Sequence, residues 1–536
     1  MNCKHCGYPI NRGQKVCPSC GKTVRRRRGG LVFLLVLLLL AAAVFGALHY
    51  RDVGNYFVRR QMDDTEYYRH VELQNYEDLS GLAEKLLAKN PLLSLKHDRF
   101  DLGFRLGDTA QELLAALNSS KIPLDWIHAL AARVEINRQD GRSSAQLALR
   151  LNDVDILSLL AATDPESGMA SLSVPELSET PVLGTMESLG LGDGSLDLEG
   201  LLAHLPSAEK RRAVVSRYLS LALDQIGTLE SGTAVLKADT LSRECTLFTV
   251  RLTDTELNAL EKKLCETLRT DEEALGLLEE LLRPIAKDPD ALREDVLQRL
   301  DKLIAGLDKF KSKGANYVIR TYVDAAGRIA GREILVDRKG GELVLSRALL
   351  VKNGRLGLEL RLEQDGKTSS FVGGGRLQGL GLTGEFKALS NGTEMLTLDA
   401  DAALKGVIKG VCTLTLRPER AMLRAMKLDE TAESLAKDLR LRLRYDNTED
   451  PAELSLVLLH DEDAIVTTGL EHTPLPAEAI ELPTQGLSLA EWTKGIKLPN
   501  LFGNGSFGTV FDRLSQAGMP SELIVGAKLL LPQLLK

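Results

Sequence analysis

The sequence predicts an α+β protein with an N-terminal zinc ribbon, one transmembrane helix and a large ectodomain of curved antiparallel sheets packed with helices. Three observations predict it. Two C-x-x-C pairs lie at the start of the chain, and an uncharged apolar run follows them. The remaining chain reads as strands, helices, strands and helices. Runs of strands and runs of helices are typical of antiparallel α+β folds, whereas parallel sheets alternate the two.

Residues 1–23 are predicted to form the zinc ribbon, because four thiolates can close a tetrahedral Zn²⁺ site. This segment is too short for a hydrophobic core, so the binding energy of a structural Zn²⁺ would also be its folding energy. A disulfide pair or a redox C-x-x-C is the alternative, and neither explains two pairs so close together. His5 is a less favoured ligand. The predicted zinc ligands are Cys3, Cys6, Cys17 and Cys20.

A transmembrane helix is predicted over residues 31–50. The run from Leu31 to Leu48 carries no charge, and a helix needs about 20 apolar residues to cross the hydrocarbon core. A cleaved signal peptide is the alternative, since it also has a basic start and an apolar middle. Its basic region would then contain a folded zinc site, and the apolar run is long for a signal core.

The charges flanking this segment predict the orientation in the cell membrane. Eight basic residues and no acidic residue precede Leu31, and four of the basic ones are Arg25–Arg28 in the basic linker, residues 24–30. Positive flanks stay in the cytoplasm, so the N-terminus is predicted to be cytoplasmic and the C-terminal domain extracytoplasmic. The four arginines would also attract anionic lipid, at about 1 kcal/mol each.

The composition of the ectodomain excludes some function classes. Without the eight N-terminal basic residues, 59 basic residues stand against 74 acidic ones, which argues against nucleic-acid binding. An aromatic content of 4% makes a stacking-based sugar site less favoured. Cys245, Cys265 and Cys412 are an odd set in apolar contexts, so buried, reduced thiols are predicted. A bridge between Cys245 and Cys265 is the alternative.

Residues 51–310 are predicted as a first half of helix, antiparallel strands and helices. Thr253 with Glu256 three positions on predicts a capped helix start. The predicted elements, from helical spacing or alternation, are a helix over 53–90, strands over most of 92–177, a helix over 198–226, strands over 234–251 and helices over 253–269, 271–285 and 289–307.

Residues 311–536 are predicted as a second half, an antiparallel sheet plus terminal helices. Gly-rich turns separate its short apolar runs. The predicted elements are strands over most of 316–417 and over 440–445, 454–459 and 465–470, with helices over 488–497 and 511–535.

Three local motifs favour ordinary structure over chemistry. Gly503–Val510 fits a kinase glycine-rich loop, but too few residues follow to supply a kinase's other motifs, which favours a flexible loop. Gly373–Gly375 lies between strand patterns and favours a hairpin or bulge over a dinucleotide site. His460–Asp463 offers possible cation ligands but lacks the glycine and final glutamate of a calcium loop, so a hairpin turn is favoured.

The segments Cys3-Lys-His-Cys6-Gly and Val16-Cys17-Pro-Ser-Cys20-Gly, followed by basic residues and an apolar span, resemble the zinc-ribbon single-pass membrane proteins of Gram-positive bacteria. The resemblance covers about residues 1–50. It implies a cytoplasmic zinc ribbon and an ectodomain in the cell envelope. Residues 62–68 and 173–178 also look similar to ectodomains of uncharacterised members, which brings no activity with it.

Three hypotheses for function follow. The first is a non-enzymatic envelope protein whose zinc ribbon binds an unknown cytoplasmic protein and whose ectodomain senses or binds something outside. The second is a membrane-tethered carrier of an apolar ligand such as a lipid. The third is a cell-envelope enzyme. An apolar cavity inside the sheet would favour the carrier, and a cleft with convergent carboxylates would favour the enzyme.

Overall fold

The structure is a computed structural model, and it divides the chain into two compact units, residues 1–50 and 51–536. The predicted zinc ribbon, basic linker and transmembrane helix lie outside the described residues. Within the described ranges, no helix combines the length and the apolar character needed to cross a membrane. The structure describes residues 52–88, 96–117, 125–189, 206–227, 229–283, 286, 288–338, 341–405, 409–427, 433, 436–491 and 506–534.

Helices precede, separate and follow the strands of the second unit. They are α1 (Asp52–Gln61), α2 (Asp64–Ala88), α3 (Asp108–Leu117), α4 (Ala208–Asp224), α5 (Asp254–Thr270), α6 (Glu272–Leu282), α7 (Leu292–Asp308), α8 (Arg420–Ala425), α9 (Ser506–Gln516) and α10 (Ser521–Leu534).

The strands are β1 (His97–Leu106), β2 (Ala129–Gln139), β3 (Arg142–Leu151), β4 (Val154–Asp164), β5 (Met169–Ser173), β6 (Val182–Thr185), β7 (Leu229–Ala238), β8 (Leu241–Thr253), β9 (Asn316–Val323), β10 (Ile329–Arg338), β11 (Gly341–Lys352), β12 (Arg355–Gln364), β13 (Lys367–Gln378), β14 (Gly381–Ser390), β15 (Thr393–Leu404), β16 (Gly410–Pro418), β17 (Leu439–Asp446), β18 (Ala452–His460) and β19 (Asp463–Pro474).

All 19 strands that the structure describes belong to one antiparallel sheet, which confirms the α+β prediction. The chain builds a first meander from β1 to β6. It then builds a second meander from β7 to β19. The last strand, β19, pairs with β1, so the two meanders join there. Strands from both sides of the predicted boundary at residue 310 therefore share a sheet.

Two-residue turns explain why consecutive strands pair. Asp-Gly and Asn-Gly turns have positive φ at both residues, as at Asp140-Gly141, Asn353-Gly354 and Asn391-Gly392. This backbone suits the right-handed twist of a hairpin, and only glycine, asparagine and aspartate adopt it readily. Such turns set the register of each hairpin and so decide which side chains share a face.

The β7 end of the sheet lies against β11 and β12. Leu236 of β7 packs in one cluster with Ala348 and Leu350 of β11. A Cβ at Gly357 would lie 2.3 Å from the carbonyl oxygen of Ala238, so glycine is required where the β7–β8 turn meets β12.

Some predicted helix boundaries are wrong. The predicted helix over 53–90 is two helices, because Asp63 accepts hydrogen bonds from the backbone N–H groups of Thr65 and Glu66, and Glu66 accepts one from the Asp63 N–H. That reciprocal cap starts a new helix. The helix α3 lies in a region predicted as mostly strand. The predicted capping box of Thr253 and Glu256 is confirmed at the start of α5.

Candidate functional site

One face of the sheet, here called the apolar face, carries rows of directly opposite apolar side chains. Each row crosses many strands because the hairpins hold the alternation of neighbouring strands in register, with register shifts inside the pairs β3–β4, β9–β10, β14–β15 and β18–β19. One row runs from β4 to β13 through Leu157, Leu149, Ala132, Leu102, Leu470, Leu454, Tyr445, Cys412, Ala402, Leu382 and Leu377. A neighbouring row runs through Leu151, Leu130, Phe104, Thr468, Leu456, Leu443, Leu414 and Ala400.

The other side of the sheet, here called the polar face, alternates with it. In β2 and β1, Arg133 donates to Asp101 over 2.8 Å, and in β15 and β16 Arg417 donates to Asp399 over 3.0 Å. Charged residues solvate this face, and cross-strand pairs of opposite charge stabilise it modestly. The two faces therefore differ in chemistry along most of the sheet.

A large part of the apolar face is open to solvent. Seven large apolar side chains on β1, β2, β3, β4 and β18 are 38–54% exposed, and we call them the open region. Large contiguous apolar patches on a protein surface are typical of ligand grooves and of protein–protein or membrane interaction sites. The members of the open region are Leu102, Phe104, Leu130, Leu147, Leu149, Leu159 and Leu454.

The open region is wide enough for a lipid chain. From β18 through β19, β1, β2 and β3 to β4 there are five strand spacings, which at about 4.8 Å each span about 24 Å. One leaflet of a bilayer has a hydrocarbon thickness of about 15 Å. A single acyl chain therefore fits along a row.

The same face is closed at its other end, here called the covered end. Tyr67, Tyr68 and Val71 of α2 pack in one cluster with Phe248 and Val250 of β8. Phe248 is fully buried, with its ring centroid 6.0 Å from that of Tyr67 and 5.5 Å from that of Tyr68. Burial raises the pKa of both tyrosines. The helix α2 thus covers β8 and β9 with two tyrosine side chains and excludes solvent from them.

A charged cluster lies beside the covered end. Arg332 of β10 donates to both carboxylate oxygens of the buried Glu72, each over 2.6 Å. Arg347 of β11 lies directly opposite Arg332 in the sheet register. Burial and the neighbouring Arg332 lower the pKa of Arg347, and Glu72 opposes that shift. No described residue forms a hydrogen bond or ion pair with the Arg347 guanidinium.

The polar face holds a cleft of about 720 Å³. Its carboxylates include Glu385, Asp399 and Asp401, and Arg355 and Arg376 also line it. Convergent carboxylates are the feature that favours an enzyme, but Arg417 donates to both Asp399 and Glu385. Within the described ranges, no group of three His, Cys, Asp or Glu side chains is placed to hold a metal ion.

A histidine holds the join between the two meanders. His97 of β1 donates through Nδ1 to the Pro476 carbonyl and through Nε2 to Glu135, the latter over 3.1 Å. Burial lowers the pKa of His97, but these two acceptors outweigh burial and the net shift is upward. Burial raises the pKa of Glu135, but the hydrogen bonds from His97 and Arg99 make its net shift downward.

Cys245, Cys265 and Cys412 are free thiols, and the alternative bridge between Cys245 and Cys265 does not form in this structure. Cys245 is buried, whereas Cys265 and Cys412 are half-buried, so the prediction of three buried thiols is wrong for two of them. Burial, with a smaller contribution from Asp324, raises the pKa of Cys245 to about 11. Burial also raises the pKa of the other two thiols.

The predicted zinc ligands Cys3, Cys6, Cys17 and Cys20 and the basic Arg25–Arg28 lie outside the described residues. The hairpin interpretation of His460–Asp463 is confirmed, because Asp461 and Glu462 form the β18–β19 turn and Glu462 binds Arg440 over 2.6 Å.

Two glycine motifs differ from their predictions. Gly373–Gly375 lies inside β13 and is neither hairpin nor bulge, since a Cβ at Gly373 would lie 2.2 Å from the Glu385 carbonyl oxygen of β14. The predicted loop at 503–510 is wrong from Ser506 onward, where α9 begins.

Sequence reasoning missed the apolar face as a site. Its signal was present, because the Asp-Gly and Asn-Gly turns fix the register of alternating strands such as Arg142–Leu151. Neither a comparison with known protein families nor one with curated proteins finds a match for this chain.

Proposed function

We propose that the ectodomain is a non-enzymatic binding domain that holds the acyl chain of a lipid on its apolar face. The observation that carries this proposal is the open region, where seven large apolar side chains in register stay 38–54% exposed. Scattered exposed leucines are normal on proteins, but aligned ones on neighbouring strands are not. This proposal joins the binding-domain hypothesis to the carrier hypothesis.

The energy available to a ligand is sufficient. Fully burying one leucine-sized side chain contributes about 1.5–3 kcal/mol. Covering the exposed part of seven such side chains would contribute on the order of 5 kcal/mol before the cost of association. An acyl chain needs no hydrogen-bonding partner, so an apolar surface is enough to hold it.

The predicted anchor gives the ectodomain a reason to meet lipid. A helix over residues 31–50 would hold the domain at the outer membrane surface, and the zinc ribbon, with Zn²⁺ on its four cysteines, would bind a cytoplasmic protein. These parts remain proposals. The proposed membrane helix would bring the domain close to lipid, whereas the surface that binds the lipid lies on the sheet.

A matched pair of leucines tests the proposal. Leu102 in the open region and Leu303 on α7 are 54% and 56% exposed, so their replacement by glutamine changes solvation equally. The single variant Leu102→Gln should reduce binding of a fluorescent fatty acid to the full chain in nanodiscs by roughly fivefold, since the lost apolar contact weakens binding by about 1 kcal/mol.

Leu303→Gln should leave binding unchanged. Equal losses in the two variants, or no loss in either, would contradict the proposal. The intact fold of each variant is checked by its circular dichroism spectrum, because an unfolded protein would lose binding for a different reason.

A further inference from the structure

A cation occupies a position on the apolar face where alternation calls for an apolar side chain. On β11 this face carries Leu343, Leu345, Arg347, Leu349 and Val351. Across the strand pair, Leu360 lies opposite Arg347, and Leu358 lies opposite Leu349. A guanidinium among leucines costs free energy unless an acceptor compensates its charge.

The nearby charges do not balance. Arg332 and Arg347 are directly opposite one another, and like charges in that arrangement destabilise a sheet. Glu72 supplies one negative charge, and Arg332 occupies both of its oxygens. The cluster therefore keeps an excess of one positive charge, located on Arg347, in a half-buried site.

An apolar track leads away from that charge. The directly opposite residues on the next four strands are Leu360, Phe371, Ala388 and Leu396, and each is half-buried. Four strand spacings at about 4.8 Å give about 19 Å, the length that one acyl chain needs. Leu345 and Leu362 beside Arg347 are 50% and 42% exposed, so the track is accessible at its charged end.

We propose that the ligand is an anionic lipid, whose acyl chain lies along this track and whose headgroup oxygens accept hydrogen bonds from Arg347. This inference rests on the proposed function and adds the ligand's charge and orientation to it. A guanidinium is well suited to the role, because its fixed donor fork matches the oxygens of phosphate and carboxylate groups. The headgroup would replace the missing counter-charge of Arg347.

The test compares two probes of equal chain length in the full chain, held in phosphatidylcholine nanodiscs. One is a photoactivatable long-chain alkyl phosphate, and the other is the alcohol of the same chain. Adducts on β11 to β15 are measured by peptide mass spectrometry. The phosphate should label these strands roughly tenfold more than the alcohol, the factor expected for one charge-assisted contact.

Three variants locate the effect. Arg347→Met keeps a long unbranched side chain, and it should lower labelling by the phosphate to the level of the alcohol without changing labelling by the alcohol. Arg347→Lys should keep most of the preference. Arg361→Met, on the polar face of β12, removes an exposed arginine that pairs with Glu363 and should change neither probe.

The outcomes separate this inference from the proposed function. Equal labelling by both probes in the native chain, or an unchanged preference in Arg347→Met, would overturn the headgroup site. So would adducts confined to the open region, although these would support the proposed function. Adducts with neither probe on the apolar face would overturn both. If Arg347→Met does not fold, the headgroup site is judged from the preference for the phosphate over the alcohol in the native chain and in Arg347→Lys.

Discussion

The covered end and the open region belong to the same face of the same sheet, yet one is a packed core and the other is solvent-exposed. Both follow the same alternation. The covered end has Phe248 fully buried under the tyrosines of α2, whereas the open region presents leucines such as Leu102 at 54% exposure. The difference lies in what covers the strands, because α2 lies on β8 and β9 and the structure describes no equivalent aromatic helix over β1 to β3.

Alternation alone therefore does not decide which apolar side chains are buried. A strand with one apolar face must be covered by something, and the partner can be a helix of the same chain or a ligand. In this protein the covered end uses the first solution. For the open region we propose the second.

The two regions should differ most in the unfolding free energy that each loses when a large apolar side chain is replaced by alanine. Phe248→Ala should lower the free energy of unfolding by about 3–5 kcal/mol, because it leaves a cavity among packed rings. Leu102→Ala should lower it by less than about 1 kcal/mol, because that side chain loses little burial. Urea unfolding of the full chain measures both. Similar losses would remove the distinction between the two regions.

A smaller effect is expected at the edge of the covered end. Glu72→Gln should lower the free energy of unfolding by about 2 kcal/mol, since it leaves two opposed arginines without a carboxylate. Glu363→Gln breaks the exposed pair with Arg361 and should cost less than about 0.5 kcal/mol. Thermal melting of the two variants measures the difference, and equal shifts would mean that Glu72 does not balance the arginines.

The join beside the open region should respond to pH. The pKa of His97 is raised above 6.5, so its contribution to stability is complete below that value and is lost as pH rises through the raised pKa. The pKa of Glu135 is lowered below 4.5, so its contribution is complete above that value and is lost as pH falls through the lowered pKa. Their pairing should therefore be strongest between pH 4.5 and 6.5.

His97→Gln tests this pairing. The native chain should lose melting temperature as pH rises above 6.5 and through the raised pKa of His97, and the variant should lose less. Peptides from β1 and β2 should also exchange amide hydrogens faster in the variant, while those from β8 and β9 at the covered end should not. A uniform change in all four strands would contradict a local role.

The smallest effect concerns the thiols. A pKa of about 11 keeps Cys245 protonated, so iodoacetamide should react with it roughly a hundredfold more slowly than with an ordinary thiol near neutral pH. Cys265 and Cys412, which are half-buried, should react faster than Cys245. Intact mass with and without reductant checks that all three are reduced. A difference of two hydrogens would reveal a bridge.

Local features of the fold could be predicted from the sequence. Alternation predicts strands such as β3, and the pair of Thr253 and Glu256 predicts the start of α5, because both signals lie within a few residues. The Asp-Gly turns could also have predicted which strands pair. The break between α1 and α2 was readable from the spacing of Asp63 and Glu66.

Long-range features could not be predicted. The pairing of β1 with β19 brings Asp98 to His472, which are 374 positions apart, and no local pattern encodes that contact. Arg347 has no ion-pair partner among the described residues because Arg332 already binds Glu72. Glu72 belongs to α2 and is far from both arginines in the sequence. The zinc ribbon and the transmembrane helix stay predictions, because they lie outside the described residues.

The most direct test of the account maps where a lipid chain touches the protein. A phospholipid with a photoactivatable group in its acyl chain is added to the full chain in nanodiscs, and adducts are assigned to residues. We expect adducts on apolar-face residues such as Leu102, Leu130 and Leu149, and none on Phe248 at the covered end. Adducts that favour the polar face, for example at Arg133, or that fall equally on both regions, would contradict it.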